Sequence, residues 1–299
     1  MHPTALPSKY GIGDFGETSR KFIDFLNESS TNIWQVLPLG LTSLDEFSPY
    51  SSPSSILGNR YLVDIEKLTK YEKIDIASPQ FSNDFVQYKD VYKFKDDIFK
   101  NVSKNINLQD KVFTSFLDDD LIKKHITFLI LKDLNQKSWN EWDNVHQDYS
   151  DDLFDKLLIE NTELVNFHVL TQYEFFNQWK SLKKYANDKN VQILGDIPIY
   201  VNHDSADVWL NKEMFELDGT GNMELVSGAV PDSFNTEGQI WGNALYRWDL
   251  HKEDDFKYWK EKLNKSLNLY DYLRIDHFIG FFKYWSIPKG ESALNGYWR

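Results

Sequence analysis

The segment VQILGDIPIYV (191–201) predicts a buried strand that ends in an acidic turn, and this strand sets the fold class. Residues 163–188 before it predict a long amphipathic helix, because apolar side chains recur at i, i+4, i+8 and i+11. A loop-rich stretch at 202–249, a helix at 253–268 and a strand at 273–278 (LRIDHF) follow. The order strand, long loop, helix, strand indicates a repeating β/α unit with parallel strands.

The amino-terminal part shows the same alternation of elements. Residues 1–13 are rich in proline and glycine and predict a loop, 15–28 predict a helix, and 32–39 predict a short buried strand. The polar segment 41–60 follows that strand, in the position where α/β enzymes place their active sites. Residues 61–65 (YLVDI) predict either another short strand or a packing segment.

Residues 66–165 differ in composition from the segments on both sides. They are rich in Lys, Asp, Asn and Phe, contain few Gly or Pro, and show helical periodicity at 119–134. We therefore predict a mainly helical insertion whose charged stretches form solvated helix faces.

The 299-residue chain carries 33 Lys and Arg against 46 Asp and Glu, a formal net charge of −13. Nucleic acids and anionic membrane surfaces select for basic patches, so neither is expected as the main partner. The absence of cysteine excludes a disulfide scaffold, a thiolate nucleophile and a Cys-ligated metal site. With no apolar run of roughly 20 residues and no secretory signal, a cytoplasmic location is the expectation.

The chain is rich in aromatic residues, with 10 Trp, 16 Tyr and 21 Phe. Most of these rings are expected in the core and between helices. A more specific hypothesis is a sugar-binding cleft, where flat rings lie against the C–H faces of pyranoses and polar groups bind the hydroxyls.

Two predicted strand ends carry a carboxylate, Asp196 and Asp276. In a (β/α) barrel the carboxyl ends of the strands meet at the mouth that holds the active site, and two carboxylates there suit glycosidic chemistry. Arg274 and Asp276 would point to the same side of their strand, so the guanidinium could keep the carboxylate ionised and aimed as a nucleophile. Plainer interpretations stay open: Asp196 as a turn residue, and Asp276 as a structural partner of Arg274 or a helix N-cap. His277 by itself would more often be structural than catalytic.

Six motifs carry a resemblance to a known family, in the family's order. They are HPTALPSKYGIGDFG (2–16), WQVLPLG (34–40), SPYSSPSSILGNRYLVDI (48–65), ILGDIPIYVNHDSADVW (193–209), SGAVPDSFNTEGQIWGNALYRWD (227–249) and LRIDHFIGFFKYWSIPKG (273–290). The chain thereby resembles the 4-alpha-glucanotransferases, also called amylomaltases or disproportionating enzymes, which form glycoside hydrolase family 77 within the α-amylase superfamily. The resemblance runs from residue 2 to the last residue and is weakest in the helical insertion.

The resemblance implies a retaining transfer of α-1,4-glucan segments between maltodextrins, with no metal and no cofactor. Asp276 matches the nucleophile that forms a covalent glucosyl-enzyme, and Arg274 matches the arginine beside it. Asp196 and His277 match groups expected to hold sugar hydroxyls near the cleaved bond. Tyr50 matches a tyrosine at the donor side of the cleft.

Residues 228–243 resemble the family's mobile loop over the acceptor region. The candidate sugar contacts in this loop are Asp232, Phe234, Gln239 and Trp241. For the two aromatic residues, packing within the loop is the alternative. A flexible aromatic lid would favour transfer over hydrolysis, because the glycosyl-enzyme must meet an acceptor sugar before it meets water.

The fold implied by the resemblance is α/β, of the (β/α)8 TIM-barrel type, with a helical insertion. Residues 1–65 would begin the catalytic barrel, 66–165 would form the insertion, and 166–299 would continue the barrel with the nucleophile strand. Roughly the first half of the barrel is expected, trimmed at the front and incomplete at the C-terminus. Such a half barrel has two open parallel-sheet edges.

Family members are longer and place a general acid/base glutamate on the strand after RIDHF and a third catalytic aspartate later still. No residue here matches either group, and Glu291 is not assigned the acid role. Since general acid/base assistance is typically worth about 10²–10⁴ in rate, a complementary C-terminal fragment is the expected partner. The alternative hypothesis is a truncated inactive remnant or a weak maltodextrin-binding fragment.

Overall fold

The computed structural model describes residues 1–43, 46–77, 79–82 and 84–299, so positions 44 and 45 of the predicted loop lie outside the described residues. The helices are α1 (Glu17–Glu28), α2 (Tyr88–Ser103), α3 (Lys111–Leu117), α4 (Asp120–Asn135), α5 (Asp151–Glu160), α6 (Thr162–Asp188), α7 (Ala206–Leu210), α8 (Trp248–Glu253) and α9 (Lys257–Leu269). The strands are β1 (Ile33–Gln35), β2 (Gln192–Ile197), β3 (Leu225–Ala229), β4 (Gln239–Ile240), β5 (Tyr272–Ile275), β6 (Trp285–Pro288) and β7 (Tyr297–Trp298). In these ranges no helix has the length and apolar character needed to cross a membrane.

Three parallel strands form the sheet that carries the site, in the order β1-β2-β5. Trp34 lies opposite Ile193 in the first pair of strands, and Asp196 lies opposite Arg274 in the second. These pairings confirm the parallel arrangement predicted from the order of elements. Among the described residues, β1 and β5 each pair with one strand only, so each forms an edge of this sheet.

The first strand is shorter than the predicted range 32–39. It ends at Gln35, after which the N–H of Val36 makes one more bond, of 3.0 Å, to the carbonyl of Leu194. Pro38 has no backbone N–H and therefore cannot continue the ladder.

The two faces of the parallel sheet have different surroundings. Helices α6 and α9 pack on one face, where Trp34 and Ile193 are buried. On the other face, which also carries Asp196 because side chains alternate, Ile33 and Tyr272 are 49% and 48% exposed. The sheet therefore presents apolar side chains to solvent beside the candidate site.

Helix α6 confirms the predicted long helix at 163–188 and lies at the centre of the core. Phe175 and Trp179 on this helix are fully buried against Phe15, with ring centroids 5.5 and 5.1 Å from its ring. The Trp179 indole N–H also donates to the carbonyl of Leu269, at 2.9 Å, at the end of α9. These contacts join the amino-terminal loop, α6 and the end of α9.

The helical character predicted for 66–165 is confirmed by α2, α3, α4 and α5, and α4 coincides with the predicted helix at 119–134. Phe128 of α4 belongs to the same hydrophobic core as Phe15 and Trp179. The division of the chain at 65 and 165 stays a prediction.

Two predicted segments differ from the structure. Residues 61–65 are not a strand, because Arg60–Leu62 form a 3-10 turn, and the buried side chains of Tyr61 and Leu62 confirm the packing interpretation. The loop-rich stretch 202–249 also contains α7, β3 and β4. Strands β3 and β4 join an antiparallel sheet in the order β4-β3-β6-β7. With two to five residues each, these strands are too short to show a periodicity.

The predicted helix at 253–268 is divided in the structure. Asp255 and Phe256 have φ values of +51° and +55°, in the left-handed region that an α-helix cannot continue. Helix α8 therefore ends at Glu253, and α9 begins at Lys257.

Candidate active site

Asp196 lies inside β2, so the interpretation of this residue as a turn residue is wrong. Its side chain is almost fully buried. A Cβ at the preceding position, Gly195, would lie 2.3 Å from the ring of Tyr270. The glycine lets the strand pass close to Tyr270, and the alternation of side chains then places Asp196 on the opposite face.

Two donors bind the same oxygen of Asp196. The Tyr50 hydroxyl donates to Oδ2 at 2.7 Å, and Nη1 of Arg274 donates to it at 2.9 Å. Burial, together with the nearby carboxylate, raises the pKa of Tyr50 to about 12, so this hydroxyl keeps its proton at neutral pH. Oδ1 of Asp196 is buried without a partner among the described residues. Such an oxygen needs a donor from a ligand or from water.

Arg274 joins the two candidate carboxylates. Its Nη2 lies 2.7 Å from Oδ1 of Asp276, while Nη1 binds Asp196. The predicted placement of Arg274 and Asp276 on one side of the chain is confirmed, and the two carboxylates raise the pKa of Arg274. The Asp276 side chain is 53% exposed and therefore remains accessible to a ligand. The N-cap interpretation is wrong, because His277 occupies the cap position of the following 3-10 turn.

His277 adopts a left-handed backbone conformation with φ +48°, which is uncommon for a residue other than glycine. Its backbone N–H donates to Oδ1 of Asp276 at 3.0 Å. Burial lowers the pKa of His277, which favours the neutral ring. The buried Nε2 has no partner among the described residues, so the ring can donate to or accept from a ligand.

An aromatic group lies next to His277. The indole of Trp241 meets the imidazole edge-on, with centroids 4.7 Å apart, and its N–H donates to the side-chain oxygen of Gln239 at 3.0 Å. Tyr200, which the sequence interpretation missed, lies 6.0 Å from both rings. Its position in GDIPIYV, four residues after Asp196, was the available signal.

The structure does not join Asp232 and Phe234 to this group. Oδ1 of Asp232 accepts hydrogen bonds of 2.8 and 2.7 Å from the backbone N–H groups of Phe234 and Asn235, which closes a turn. The Phe234 side chain is 98% exposed. Within the described ranges neither side chain hydrogen-bonds to Asp196, Asp276 or His277. Their role as sugar contacts stays a prediction.

The arrangement provides one accessible carboxylate, Asp276, held by a guanidinium. Beside it lie a buried carboxylate oxygen of Asp196, an imidazole nitrogen of His277 and the ring of Trp241. These groups are suited to a ligand with many hydroxyls and one electrophilic carbon. In the part of the chain that the structure describes, no three His, Asp or Glu side chains are grouped to hold a metal ion.

Comparisons with known proteins point in the same direction. A family model described as 4-alpha-glucanotransferase, glycoside hydrolase family 77, matches residues 1–299. The 4-alpha-glucanotransferase of Clostridium butyricum is 40% identical over 309 residues, which cover the whole chain and 63% of that relative. That of Aquifex aeolicus is 38% identical over 309 residues and is matched over 62% of its length.

Solved structures agree with these matches. The amylomaltase of Streptococcus agalactiae, solved in complex with acarbose, has a TM-score of 0.90 and 37% identity, and the match covers the whole chain and 63% of that structure. The amylomaltase of Corynebacterium glutamicum shares the fold at 18% identity, with a TM-score of 0.76 over 99% of this chain and 43% of its own. The chain thus spans a little over three fifths of the curated relatives named above and has the fold of the corresponding part of a barrel enzyme.

Proposed function

Because the chain belongs to glycoside hydrolase family 77, the 4-alpha-glucanotransferases, we propose that it supplies the nucleophile of an enzyme that transfers α-1,4-glucan segments between maltodextrins. The observation that carries this proposal is the 2.7 Å ion pair between Arg274 and the accessible carboxylate of Asp276. A retaining transfer needs a carboxylate held in position to attack the anomeric carbon.

The reaction proceeds in two displacements. In the first, an oxygen of Asp276 bonds to C1 of the donor sugar, the glycosidic bond breaks, and the leaving oxygen takes a proton from a general acid. In the second, the 4-hydroxyl of an acceptor glucan attacks C1, gives its proton to the same group and releases Asp276. Arg274 holds the carboxylate in place through both steps.

The neighbouring residues bind the sugar in this proposal. The free Oδ1 of Asp196 and Nε2 of His277 each take one sugar hydroxyl, since both atoms are buried and lack a partner among the described residues. Tyr50 orients Asp196 from the donor side. Trp241, held by Gln239, offers a flat ring at the acceptor side and helps to exclude water.

The general acid comes from another polypeptide segment in this proposal. Asp196 is not suited to the role, because its Oδ2 already accepts from Tyr50 and Arg274. A segment that pairs with the outer edge of β5 would complete the site, and it would lie beside the exposed Tyr272. This is the complementary C-terminal fragment that the sequence led us to expect; the cytoplasmic location likewise stays a prediction.

The test is to incubate the chain with maltotriose, alone and together with the part of the Clostridium butyricum relative beyond the matched region. Glucose plus longer maltodextrins in the mixture, and not with either part alone, would support the proposal. Robust disproportionation by the chain alone would contradict the need for a second segment. Release of reducing sugar without chain lengthening would identify a hydrolase instead.

A binding role without transfer is the second candidate. It is favoured by one observation: the described residues provide sugar-binding groups around Asp196 and His277 but no group suited to act as the acid. Retarded migration of the chain in native gels containing amylose, with no turnover in the mixture above, would favour this role. Unretarded migration would exclude it.

A further inference from the structure

A cavity of about 740 Å³ lies between helices α4, α7, α8 and α9. Its walls include none of Tyr50, Arg274, Asp276 and Trp241, so it is distinct from the site described above. Its volume falls in the range of cavities that hold small organic ligands.

The floor of this cavity contains His125, which is 2% exposed. The hydroxyl oxygen of Ser54 accepts the backbone N–H groups of Ile56 and Leu57, at 3.2 and 2.9 Å, so both of its lone pairs are used, and it lies 2.8 Å from Nδ1 of His125. The Ser54 proton therefore goes to Nδ1, which makes Nε2 the protonated nitrogen of a neutral ring. Burial lowers the pKa of His125, in agreement with the neutral form. Nε2 has no partner among the described residues and is a free donor.

Lys262, which is 1% exposed, provides a second set of donors on the floor. Its ammonium group donates to the carbonyl of Pro198 at 3.0 Å and lies 4.7 Å from the ring centroid of Trp259. An ammonium carries three N–H donors, and the described residues provide an acceptor for one of them. Two donors remain for a ligand.

Asp207 fixes the floor between these two residues. One oxygen accepts the backbone N–H of Ser55 at 2.8 Å, and the other accepts the hydroxyls of Ser55 and Tyr258, the latter at 3.0 Å. Asp207 is thus satisfied within the protein, and its negative charge offsets the charge of Lys262 beside it. The cavity floor is held rigid and presents donors.

The rim of the cavity is acidic. The carboxylates there are Asp120, Glu213, Glu253, Asp254 and Glu261, against the cations Lys124 and Lys257. This excess disfavours an anionic ligand, and the donors of the floor require a ligand that also accepts hydrogen bonds. A hydroxyl both donates and accepts, so a neutral polyhydroxylated ligand matches the donors of the floor and the acceptors of the rim together.

We propose that this cavity binds a short neutral oligosaccharide, at a site separate from the one around Asp276. The inference rests on the cavity and its side chains and does not depend on the proposed transfer activity. Glu261 lies at the rim on the exposed side of α9, where a bulky ring would block the entrance. Asn268 is exposed on the same helix and outside the cavity walls, so it offers a matched control.

Equilibrium dialysis measures how many radiolabelled maltotriose molecules bind to the full chain carrying Asp276→Asn, a replacement that prevents turnover. The expected stoichiometry is two maltotriose molecules per chain, one after addition of Glu261→Trp, and two after addition of Asn268→Trp. Unchanged binding in the Glu261→Trp chain, or no binding in any chain, would overturn the inference. Trp241→Ala, added separately, distinguishes the two sites. If the chain binds one maltotriose that is lost with Trp241→Ala and kept with Glu261→Trp, the proposed function stands and this inference fails. If that maltotriose is lost with Glu261→Trp and kept with Trp241→Ala, this inference stands and the proposed function fails.

Discussion

The Tyr50 hydroxyl donates a 2.7 Å hydrogen bond to the carboxylate of Asp196, although the two residues are 146 positions apart in the chain. This bond joins the loop after the first strand to the end of the second. The loop is itself held by Ser54, which bonds to His125 at 2.8 Å, and by Ser55, whose N–H bonds to Asp207 at 2.8 Å. Helices outside the site therefore determine where Tyr50 lies.

Replacement Tyr50→Phe should weaken maltotriose binding by tenfold or more. A hydrogen bond to a charged group contributes roughly 1.5–3 kcal/mol, and its loss also frees Asp196 to turn away from a sugar hydroxyl. The dissociation constant can be measured by isothermal titration calorimetry. Tyr297→Phe, at an exposed tyrosine, is the matched control and should bind as the wild type does. Equal affinities in the two variants would remove Tyr50 from the site.

Replacement Gly195→Ala should destabilise the fold by about 1–3 kcal/mol, the usual cost of overpacking. The new Cβ would lie 2.3 Å from the ring of Tyr270, whose hydroxyl also accepts the N–H of Leu39 at 3.2 Å and so resists movement. Urea unfolding measures the change. Gly219→Ala is the control, because nothing lies within 4 Å of its added Cβ. Similar unfolding midpoints for the two variants would show that the strand can move away from Tyr270.

The sequence predicted those parts of the fold that rest on local pattern. The apolar residues of the helix at 163–188 recur at a helical period, which was sufficient to predict α6, although α6 is buried on all sides from Val165 to Gln172 and meets Phe15 through Phe175 and Trp179. The two-residue strand β4 has no such pattern, since it is stabilised by pairing with β3 across a loop. Likewise the turn at Asp255 and Phe256 depends on backbone conformations that no periodicity reports.

The candidate site was predictable to a similar extent. The two-residue spacing of Arg274 and Asp276 correctly predicted that they lie side by side, although Asp276 follows the end of β5 at Ile275. The bond between Tyr50 and Asp196 joins distant segments, and only the family resemblance pointed to the tyrosine. Tyr200 was missed although it stands in GDIPIYV, four residues after Asp196, because its contact with Trp241 joins segments that are distant in the chain.

Asp276 should be the residue that bonds to the sugar. In the completed enzyme, a fluorinated glucosyl donor should leave its sugar on the peptide that contains Asp276, because the ion pair with Arg274 fixes this carboxylate beside the sugar-binding groups. Peptide mapping by mass spectrometry locates the label. Asp276→Asn should lose at least about a thousandfold in transfer rate, as expected when a nucleophile is removed. Asp255→Asn, at an exposed carboxylate outside the site, should keep its rate. A label on any other side chain would end the assignment.

The burial of Lys262 should appear in the pH dependence of stability. Burial lowers the pKa of Lys262 to about 8 from its ordinary value of 10.5. Between these values the unfolded chain binds more protons at this position than the folded chain does, so the contribution of Lys262 to the free energy of unfolding rises with pH in this window. Below about pH 7 both states are protonated, and the cost of burying the charge is constant.

The difference in free energy of unfolding between the wild type and Lys262→Met, measured by urea unfolding at several pH values, should therefore be level below pH 7 and rise between about pH 8 and 10.5. Lys260→Met, at an exposed lysine on the same helix, should show no such rise. A level difference for Lys262→Met across the whole window would mean that burial does not lower the pKa of Lys262.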